Sequence, residues 1–356
     1  MLANLKKVKI IAGNSKVNYS DLSPFDNIIL NFISDLSILI LKNKKLRIYP
    51  DLITFGFWCR KSNIINLKKK FLNDEIKKNI GLIFHVPPTN VPISLGYSFV
   101  FGLLSGNSNI IRVPRPKLEN IKEFLKIIIK LMKLRKYSKI KKNNTFIEYK
   151  NNFEISEKIS RLVDGRIIWG GNKTSKIFKE MKTKVSCKDI FFFDKFSFSL
   201  IDLKKFKSLN SYETEKLIEN FYNDTFVMDQ NACSSPHLVL WKNYKLSDTK
   251  LFWKKLDKYV DHKYIFKREN KIYKYYRINE ILVKSNNILS FINYKNLKIF
   301  NLKDLDNNLT DLRGYGGIFF QHKFKNFKSI SKILNRKFQT MTYFGINKKN
   351  LKYSLN

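Results

Sequence analysis

Short apolar runs alternate with helical segments throughout residues 81–194. The runs GLIFHV, NIIRVP, NTFIEY, GRIIWGG and DIFFFD have the length and apolar content of buried strands. Between them, segments such as PISLGYSFVFGLLSG and KLENIKEFLKIIIKLMKLR carry apolar residues at helical spacing. Strands that alternate with helices form parallel sheets with crossover helices. This part of the chain is therefore predicted to be an α/β, doubly wound nucleotide-binding domain.

The pattern changes after residue 194, where a second domain is predicted. FSFSLIDL and HLVLW are predicted strands with a helix at 212–227 between them, and KFQTMTYFGI predicts one more strand. Residues 243–330 are rich in Lys and Tyr and poorly periodic, and no Pro/Gly/Ser-rich linker marks the boundary. The predicted organisation is a helical N-terminal region with the nucleotide-binding domain in 1–194, a second α/β catalytic domain with the cysteine in 195–334, and a C-terminal strand and tail in 335–356.

The chain is strongly basic. Its 68 Lys and Arg residues against 29 Asp and Glu residues give a formal net charge of +39, and 44% of the residues are hydrophobic. The apolar content excludes a disordered basic tail. The lysines are scattered among Asn and Ile, which leaves two interpretations open: the composition of an AT-rich genome, or a surface that attracts nucleic acid, anionic lipid or an acidic partner.

The number and spacing of the cysteines and histidines indicate the cellular compartment and whether a metal site is expected. Three cysteines, Cys59, Cys187 and Cys233, are few and odd in number for a disulfide framework, which favours a reducing, cytoplasmic location. The four histidines are dispersed, and neither HExxH nor a paired CxxC occurs, so no metal site is predicted. The N-terminal MLANLKKVKI lacks the apolar core of a signal peptide, and no run reaches the about 18–20 apolar residues of a spanning helix.

The loop HVPPTNVPISL holds the first candidate functional residue, Asn90. Three prolines, Pro87, Pro88 and Pro92, stiffen the connection between a predicted strand and a predicted helix. A rigid loop that holds a neutral amide donor at the end of a sheet strand suits an oxyanion hole. The alternative is an ordinary proline-rich loop in which Asn90 caps the helix.

Two further segments are candidates for phosphate binding. Arg112 lies at the end of the second predicted strand, where cofactor contacts fall in doubly wound sheets, although a solvated strand-end arginine is the alternative. In IIWGGNKTSK, a strand runs into Gly170 and Gly171 before a helix that begins with NKTS, including Thr174. Backbone amides at a helix N-terminus attract phosphate, and glycines allow close approach. The segment matches neither GxGxxG nor the Walker pattern.

Cys233 is the candidate nucleophile. In DQNACSSPHLVLW it stands between a predicted helix and a predicted strand among small residues, which give a catalytic thiol room and access. The alternative is a turn cysteine without function. A Cys233–His237 dyad is disfavoured, because Pro236 and the following strand put the two residues on an extended chain and not on one helical face.

In this order, these segments resemble the LuxC-type acyl-CoA reductases, the fatty-acid reductase component of bacterial luminescence systems and relatives of the aldehyde dehydrogenase superfamily. The resemblance covers most of the chain apart from residues around 243–310, and its most specific parts are 81–114 and 229–241. The segments that carry it are YPDLITFGFWCRKSNI at 49–64, GLIFHVPPTNVPISLGYSFVFGLLSGNSNIIRVP at 81–114, IIWGGNKTS at 167–175, DKFSFSLID at 194–202, DQNACSSPHLVLW at 229–241 and QTMTYFG at 339–345.

The resemblance implies an aldehyde-dehydrogenase-like fold and a role for each candidate residue. Cys233 matches the superfamily's catalytic cysteine, and Asn90 matches the asparagine whose amide holds the oxyanion together with the backbone N–H of that cysteine. Arg112 stands where dehydrogenases usually have a cofactor-binding lysine. The positions on the pyrophosphate-contacting turn are Gly170, Gly171 and Thr174.

The resemblance also implies the reaction, with one informative departure. Hydrolytic aldehyde dehydrogenases carry a glutamate before the catalytic cysteine as the base that activates water, and DIFFFDKFSFSLID contains no glutamate. This absence favours the reduction of an acyl thioester over aldehyde oxidation. The expected activity is NADPH-dependent reduction of acyl-CoA or acyl-protein thioesters to aldehyde through an acyl-cysteine. The expected partners are an acyl-protein synthetase or acyl carrier protein and further copies of the chain, but not nucleic acid.

Three alternatives remain open. The chain could work oxidatively as an NAD(P)-dependent aldehyde dehydrogenase, or it could be a reductase-like scaffold without activity. A basic nucleic-acid-binding protein is the third alternative, and it would show a steep dependence of affinity on salt.

Overall fold

A computed structural model describes residues 5, 7–72, 75–91, 93–115, 118–266, 268–306, 308–324, 326–348 and 351. The chain forms two compact units that meet in sequence between Phe193 and Asp194. Each unit contains one six-stranded sheet with helices packed on it. None of the helices in these described ranges is both long and apolar enough to cross a membrane.

The first unit contains β1–β6 and α1–α8. Their bounds are β1 (Lys9–Gly13), α1 (Asn27–Lys42), α2 (Pro50–Trp58), α3 (Lys61–Leu72), β2 (Leu82–Val86), α4 (Ser94–Leu104), β3 (Ser108–Arg112), α5 (Glu119–Met132), α6 (Ser138–Asn143), β4 (Asn144–Glu148), α7 (Phe153–Ser160), β5 (Gly165–Trp169), α8 (Asn172–Glu180) and β6 (Lys188–Phe192). All five strands predicted within 81–194 are present.

The first sheet has the strand order β1-β4-β3-β2-β5-β6. Strands β2 to β6 are parallel to their neighbours, and β1 adds to β4 as an antiparallel edge. The chain therefore proceeds outward from β2 to β3 and β4, and then returns to β5 on the other side of β2. This order is doubly wound, with its topological switch point between β2 and β5, and it confirms the predicted α/β class.

Burial explains why these segments become strands and helices. All five residues of β2 (LIFHV) are buried, as expected for a central parallel strand that is covered on both faces. Helix α4 is likewise buried on most sides through Leu95, Phe99 and Leu103. Helix α5 is amphipathic, with buried apolar residues at the spacing of one helical face.

The second unit contains β7–β12 and α9–α13. Their bounds are β7 (Phe196–Asp202), α9 (Leu203–Lys207), α10 (Ser211–Phe226), β8 (Pro236–Lys242), α11 (Leu246–Lys263), α12 (Arg268–Lys284), β9 (Ile288–Asn293), β10 (Lys298–Leu302), β11 (Ile318–Lys323), α13 (Phe327–Ser331) and β12 (Phe338–Phe344). The sheet order is β12-β7-β8-β11-β10-β9, with β9 as an antiparallel edge. Strand β12, which the sequence analysis assigned to a separate segment at 335–356, pairs with β7 in this sheet.

The poorly periodic stretch 243–330 holds α11, α12, the strands β9, β10 and β11, and most of the short helix α13. Helix α12 (RENKIYKYYRINEILVK) is polar over most of its surface, and its tyrosines Tyr273, Tyr275 and Tyr276 are exposed. Strands β10 and β11 are covered by apolar clusters on both sheet faces, so their residues do not alternate between polar and apolar. Both features remove the periodicity on which sequence-based prediction depends.

Candidate active site

Asn90 lies in the loop that follows β2, the strand beside the switch point. Its side chain is exposed, whereas Pro87 in the same loop is buried; Pro92 lies outside the described residues. The N-cap of α4 is Ile93, and no side chain caps this helix, so Asn90 does not act as a helix cap. Its amide is therefore presented at the carboxyl edge of the sheet, where ligands bind in doubly wound folds.

Arg112 ends β3 and is anchored to the end of the neighbouring strand. Its guanidinium lies 4.5 Å from the ring centroid of Tyr149, and its Nη2 donates a hydrogen bond to Asn151 Oδ1. Arg112 is half-buried, which excludes the interpretation as a fully solvated strand-end arginine. Its cofactor-binding role stays a prediction.

The turn after β5 leaves a helix N-terminus without a side-chain cap. Gly171 is the N-cap of α8, and within the described ranges no side-chain hydrogen bond caps this helix. A Cβ added at Gly170 would come within 2.9 Å of Thr174 Cβ, so the turn closes tightly over the first turn of α8. Uncapped amides at the positive end of a helix are suited to an anion such as a phosphate.

The structure thus brings five of the six predicted site residues to one edge. Strands β3, β2 and β5 are neighbours in the sheet. Each of the five residues lies at the carboxyl end of one of these strands or in the segment that directly follows it. Those residues are Arg112, Asn90, Gly170, Gly171 and Thr174. Their arrangement fits a phosphate-bearing dinucleotide across the switch point.

A buried chain of polar side chains lies behind this edge, and sequence reasoning missed it. His85 is fully buried on β2; its Nδ1 lies 2.8 Å from Ser98 Oγ, and its Nε2 lies 2.8 Å from Asn109 Oδ1. Trp169 Nε1 donates to Ser98 Oγ at 3.3 Å, and Asn109 Nδ2 donates to Asn144 Oδ1 at 2.6 Å. Because the Asn109 oxygen faces Nε2, the proton of the neutral imidazole is on Nε2, and Ser98 donates to Nδ1.

The environment of His85 keeps its ring neutral. Burial lowers the pKa of His85 to about 4, and the hydrogen bond with Asn109 opposes this shift only in part. The hydrogen bonds therefore run in one direction, from Trp169 through Ser98 and His85 to Asn109. Trp169, which directly precedes the Gly170–Gly171 turn, also stacks on Phe192 with ring centroids 3.9 Å apart and forms one wall of a 230 Å³ pocket.

Cys233 lies in the second unit, in the turn between α10 and β8. Its side chain is exposed, whereas Cys59 is buried and Cys187 is partly buried. Burial raises the pKa of both of these other thiols. Exposure of the thiol in a turn is what a nucleophilic cysteine requires for access to its substrate.

The loop that carries Cys233 has a constrained backbone and a buried anchor. Asp229 and Gln230 have φ values of +51° and +61°, in the left-handed region that is uncommon for residues other than glycine. The buried side chain of Gln230 donates to the Ile318 carbonyl at 2.9 Å and accepts from the Gly317 N–H at 3.2 Å. These bonds tie the loop to the start of β11. The QNAC sequence alone did not identify Gln230, because its partners lie far along the chain.

Two other strands hold Cys233 itself. The Cys233 carbonyl accepts from Ser197 Oγ on β7 at 2.6 Å, and Sγ accepts from Gln339 Nε2 on β12 at 3.2 Å. His237 is not placed as a base: it is buried, and its Nδ1 has no hydrogen-bond partner in the part of the chain that the structure describes. Burial, together with Arg313 and Arg277, lowers the pKa of His237 to about 3.

One protein-family model matches this chain in sequence. The family model for acyl-CoA reductase (LuxC) matches residues 69–264, more than half of the chain and a range that contains Asn90, Arg112, the 170–174 turn and Cys233. No curated protein matches the chain in sequence.

Several solved structures share the fold at low sequence identity. Betaine aldehyde dehydrogenase from Staphylococcus aureus in complex with NAD+ has a TM-score of 0.64 at 11% identity, over 95% of this chain and 74% of that one. An oxidoreductase from Marinobacter aquaeolei has a TM-score of 0.68 at 10% identity, over 96% and 78%. Succinic semialdehyde dehydrogenase from Streptococcus pyogenes in complex with NADP+ has a TM-score of 0.63 at 12% identity, over 93% and 80%.

The family match identifies an oxidoreductase of aldehyde-related chemistry, and the structural neighbours identify its fold. The fold is the two-unit α/β architecture that the aldehyde dehydrogenases share, as the resemblance implied. On the match over residues 69–264, this chain belongs to the LuxC acyl-CoA reductase family.

Proposed function

We propose that this protein reduces activated fatty acyl groups to aldehydes with NADPH through an acyl thioester on Cys233. The observation that carries the proposal is the exposed Cys233 thiol in an anchored turn of a LuxC-family chain. The other two cysteines are less accessible, and burial raises the pKa of both, so Cys233 is the thiol best suited to attack a substrate.

The first half of the reaction uses groups of this chain. The Cys233 thiolate attacks the acyl carbonyl carbon and forms a new C–S bond, and the C–S bond to coenzyme A or to the carrier thiol then breaks. The leaving thiolate takes up a proton, so that the enzyme thiol is exchanged for the donor thiol. The family resemblance implies that the oxyanion of this attack accepts from Asn90 Nδ2 and from the Cys233 backbone N–H, and the loss of one such donor typically costs about 2.7–4 kcal/mol of barrier.

A nicotinamide cofactor fits the carboxyl edge of the first sheet. The uncapped amides of α8 and the Gly170–Gly171 turn would bind its phosphates, with Arg112 and Thr174 nearby on the same edge. When bound, the cofactor would supply the two electrons, as hydride, that convert the acyl thioester to aldehyde, and a proton from solvent would return Cys233 as a free thiol. The preference for NADPH over NADH rests on the family resemblance, since the structural neighbours include complexes with both NAD+ and NADP+.

The segment from β6 to β7 supports reduction over oxidation. An oxidative aldehyde dehydrogenase must hydrolyse its acyl-cysteine, and its water-activating base is a glutamate before the cysteine. DIFFFDKFSFSLID, which forms β6 and β7, contains no glutamate. The proposal includes acyl-CoA or an acyl-protein as donor, an acyl-protein synthetase or acyl carrier protein as partner, and a cytoplasmic homo-oligomer.

The test is aldehyde formation from acyl-CoA and NADPH by the wild type and by Cys233→Ala. We expect the variant to form no aldehyde and to lose covalent labelling by a radiolabelled acyl-CoA, while Cys187→Ala keeps both. Aldehyde formation by Cys233→Ala would refute the acyl-cysteine mechanism. If the wild type oxidises aldehydes but does not reduce acyl-CoA, the oxidative alternative is correct.

A further inference from the structure

We propose that Gln339 is a further catalytic residue, whose amide N–H donates to the sulfur of Cys233 and favours its thiolate form. This inference rests on the proposed nucleophilic role of Cys233. Nε2 of Gln339 lies 3.2 Å from Cys233 Sγ, although the two residues are 106 positions apart in sequence. Gln339 therefore touches the reacting atom directly.

A β-bulge aims Gln339 at the cysteine. Strand β12 pairs in parallel with β7, where Phe338 lies opposite Phe196 and Thr340 lies opposite Ser197. Two steps along β12 thus match one step along β7, and Gln339 is the extra residue. A bulge takes one residue out of the pairing ladder and redirects its side chain, and bulges are frequent beside active sites.

One buried hydroxyl links the two partners. Ser197 Oγ donates to the Cys233 carbonyl at 2.6 Å and accepts from the Thr340 N–H at 3.2 Å. Ser197 is only 1% exposed, so its hydroxyl is held in one place. The backbone of Cys233 and the residue after Gln339 are thereby tied to the same atom, which keeps the amide within reach of the sulfur.

An amide donor favours the thiolate form of Cys233 over the neutral thiol. A glutamine Nε2 offers only protons, and a thiolate accepts an N–H bond more strongly than a neutral thiol does. A hydrogen bond to the charged form shifts the equilibrium towards that form. Gln339 thus stabilises the nucleophile without acting as a base, and the proton of the exposed thiol passes to solvent.

Ionisable groups on the adjoining segments have other partners. Lys195, beside β7, donates to the Arg336 carbonyl at 2.7 Å, and Arg313 donates to the Lys195 carbonyl at 2.8 Å. Lys337, beside β12, lies 3.4 Å from Asp311 Oδ1. His237 on β8 is buried, and its low pKa keeps the ring neutral. Among the described side chains, Gln339 is the one that donates a hydrogen bond to Cys233 Sγ.

The experiment measures the rate of alkylation of Cys233 by iodoacetamide against pH, read from the Cys233 peptide by mass spectrometry. In Gln339→Leu, which keeps the side-chain bulk without the donor, we expect the midpoint of the pH profile to rise by about one pH unit. Gln339→Glu should raise it further, because a carboxylate repels the thiolate. Gln339→Lys restores an N–H donor and should return the midpoint to the wild-type value or below it.

Tyr343→Leu is the matched control, because Tyr343 is an exposed residue on the same strand. Its profile should equal that of the wild type. An unchanged midpoint in Gln339→Leu would overturn the inference, and so would a lower one, which would mean that the amide oxygen accepts the thiol proton. The alkylation measurement needs no substrate. If the wild type forms no aldehyde but the Gln339 variants shift the midpoint as expected, only the proposed function is refuted. If the wild type forms aldehyde but the Gln339 variants leave the midpoint unchanged, only the role of Gln339 is refuted.

Discussion

At the scale of single residues, three of the side chains that carry these proposals are neutral amides. Asn90 is exposed at the edge of the first sheet, Gln339 bonds to the Cys233 sulfur, and Gln230 anchors the cysteine loop. An amide donates a hydrogen bond at any pH at which the protein is folded and carries no charge to be desolvated. Such donors suit an acyl-transfer reaction in which negative charge appears only during the attack.

Asn90→Ala removes the side-chain donor proposed for the oxyanion. We expect kcat for acyl-CoA reduction to fall about 10²–10³-fold with a much smaller change in KM, because the interaction is stronger in the transition state than with the substrate. Thr89→Ala, at the neighbouring exposed position, is the control and should be near wild type. A loss that appeared only in KM would assign Asn90 to substrate binding instead.

At the scale of elements, one polar chain joins α4 to four strands of the first sheet. Ser98 on α4 meets His85 on β2, and Asn109 on β3 continues the chain to β4. Gly102 permits this approach, because a Cβ at that position would come 2.1 Å from Asn109 Oδ1. Trp169 connects the chain to the end of β5, so the network links the helix to the strand that carries the predicted cofactor turn.

Ser98→Ala should break this network at its centre. The variant leaves His85 Nδ1 without its donor and Trp169 Nε1 without its acceptor, and we expect a loss of about 1–3 kcal/mol in the free energy of unfolding. Urea denaturation followed by tryptophan fluorescence measures it. Ser105→Ala, which removes a half-buried hydroxyl at the C-cap of the same helix that, among the described residues, bonds only to the Phe101 carbonyl, should cost clearly less. Equal losses would show that the buried network adds no specific stability.

At the scale of the whole molecule, each unit contains one buried, neutral histidine. His85 lies in the first unit and His237 in the second, and both are at least 97% buried. Burial is the largest cause of their low pKa values, about 4 and about 3, against an ordinary value of 6.5. The net charge of +39 adds a general repulsion in the folded state, and the many exposed lysine–carboxylate pairs offset little of it.

Stability should therefore fall when the pH is lowered from about 6.5 towards 4. In this range the unfolded histidines take up protons and the folded ones do not, so the unfolded state binds more protons and the free energy of unfolding decreases by up to about 1.4 kcal/mol per pH unit for each histidine. Above pH 6.5 this contribution is fully present. Urea titrations at pH 7 and pH 5 measure it.

The variants His85→Gln and His237→Asn should each flatten this pH dependence, whatever they do to stability at pH 7. His262→Gln, at an exposed position, is the control and should leave the dependence unchanged. If neither buried-site variant changes the slope, protonation of other groups governs the acid sensitivity.

Local pattern was sufficient to predict much of the fold and to select candidate site residues. Buried strands such as LIFHV and GRIIWGG are recognisable because each is a short apolar run bounded by turn residues. Cys233, Asn90 and the 170–174 turn are candidates because each stands in a compact segment with distinctive neighbours, and the family resemblance gives each its predicted role. The strands and helices of 243–330 were not predicted, since their burial depends on layers contributed by distant parts of the chain.

The sequence by itself determined the α/β class, the doubly wound order implied by alternating strands and helices, and the family to which the chain belongs. Only the tertiary structure decided which side chains act together. Gln339 reaches Cys233 through a bulge, Gln230 bonds across to β11, and His85 finds Ser98 and Asn109 beneath α4. The secondary structure of 81–194 follows largely from neighbours in sequence, whereas hydrogen bonds between side chains depend on strand order and register, which bring distant residues within about 3 Å.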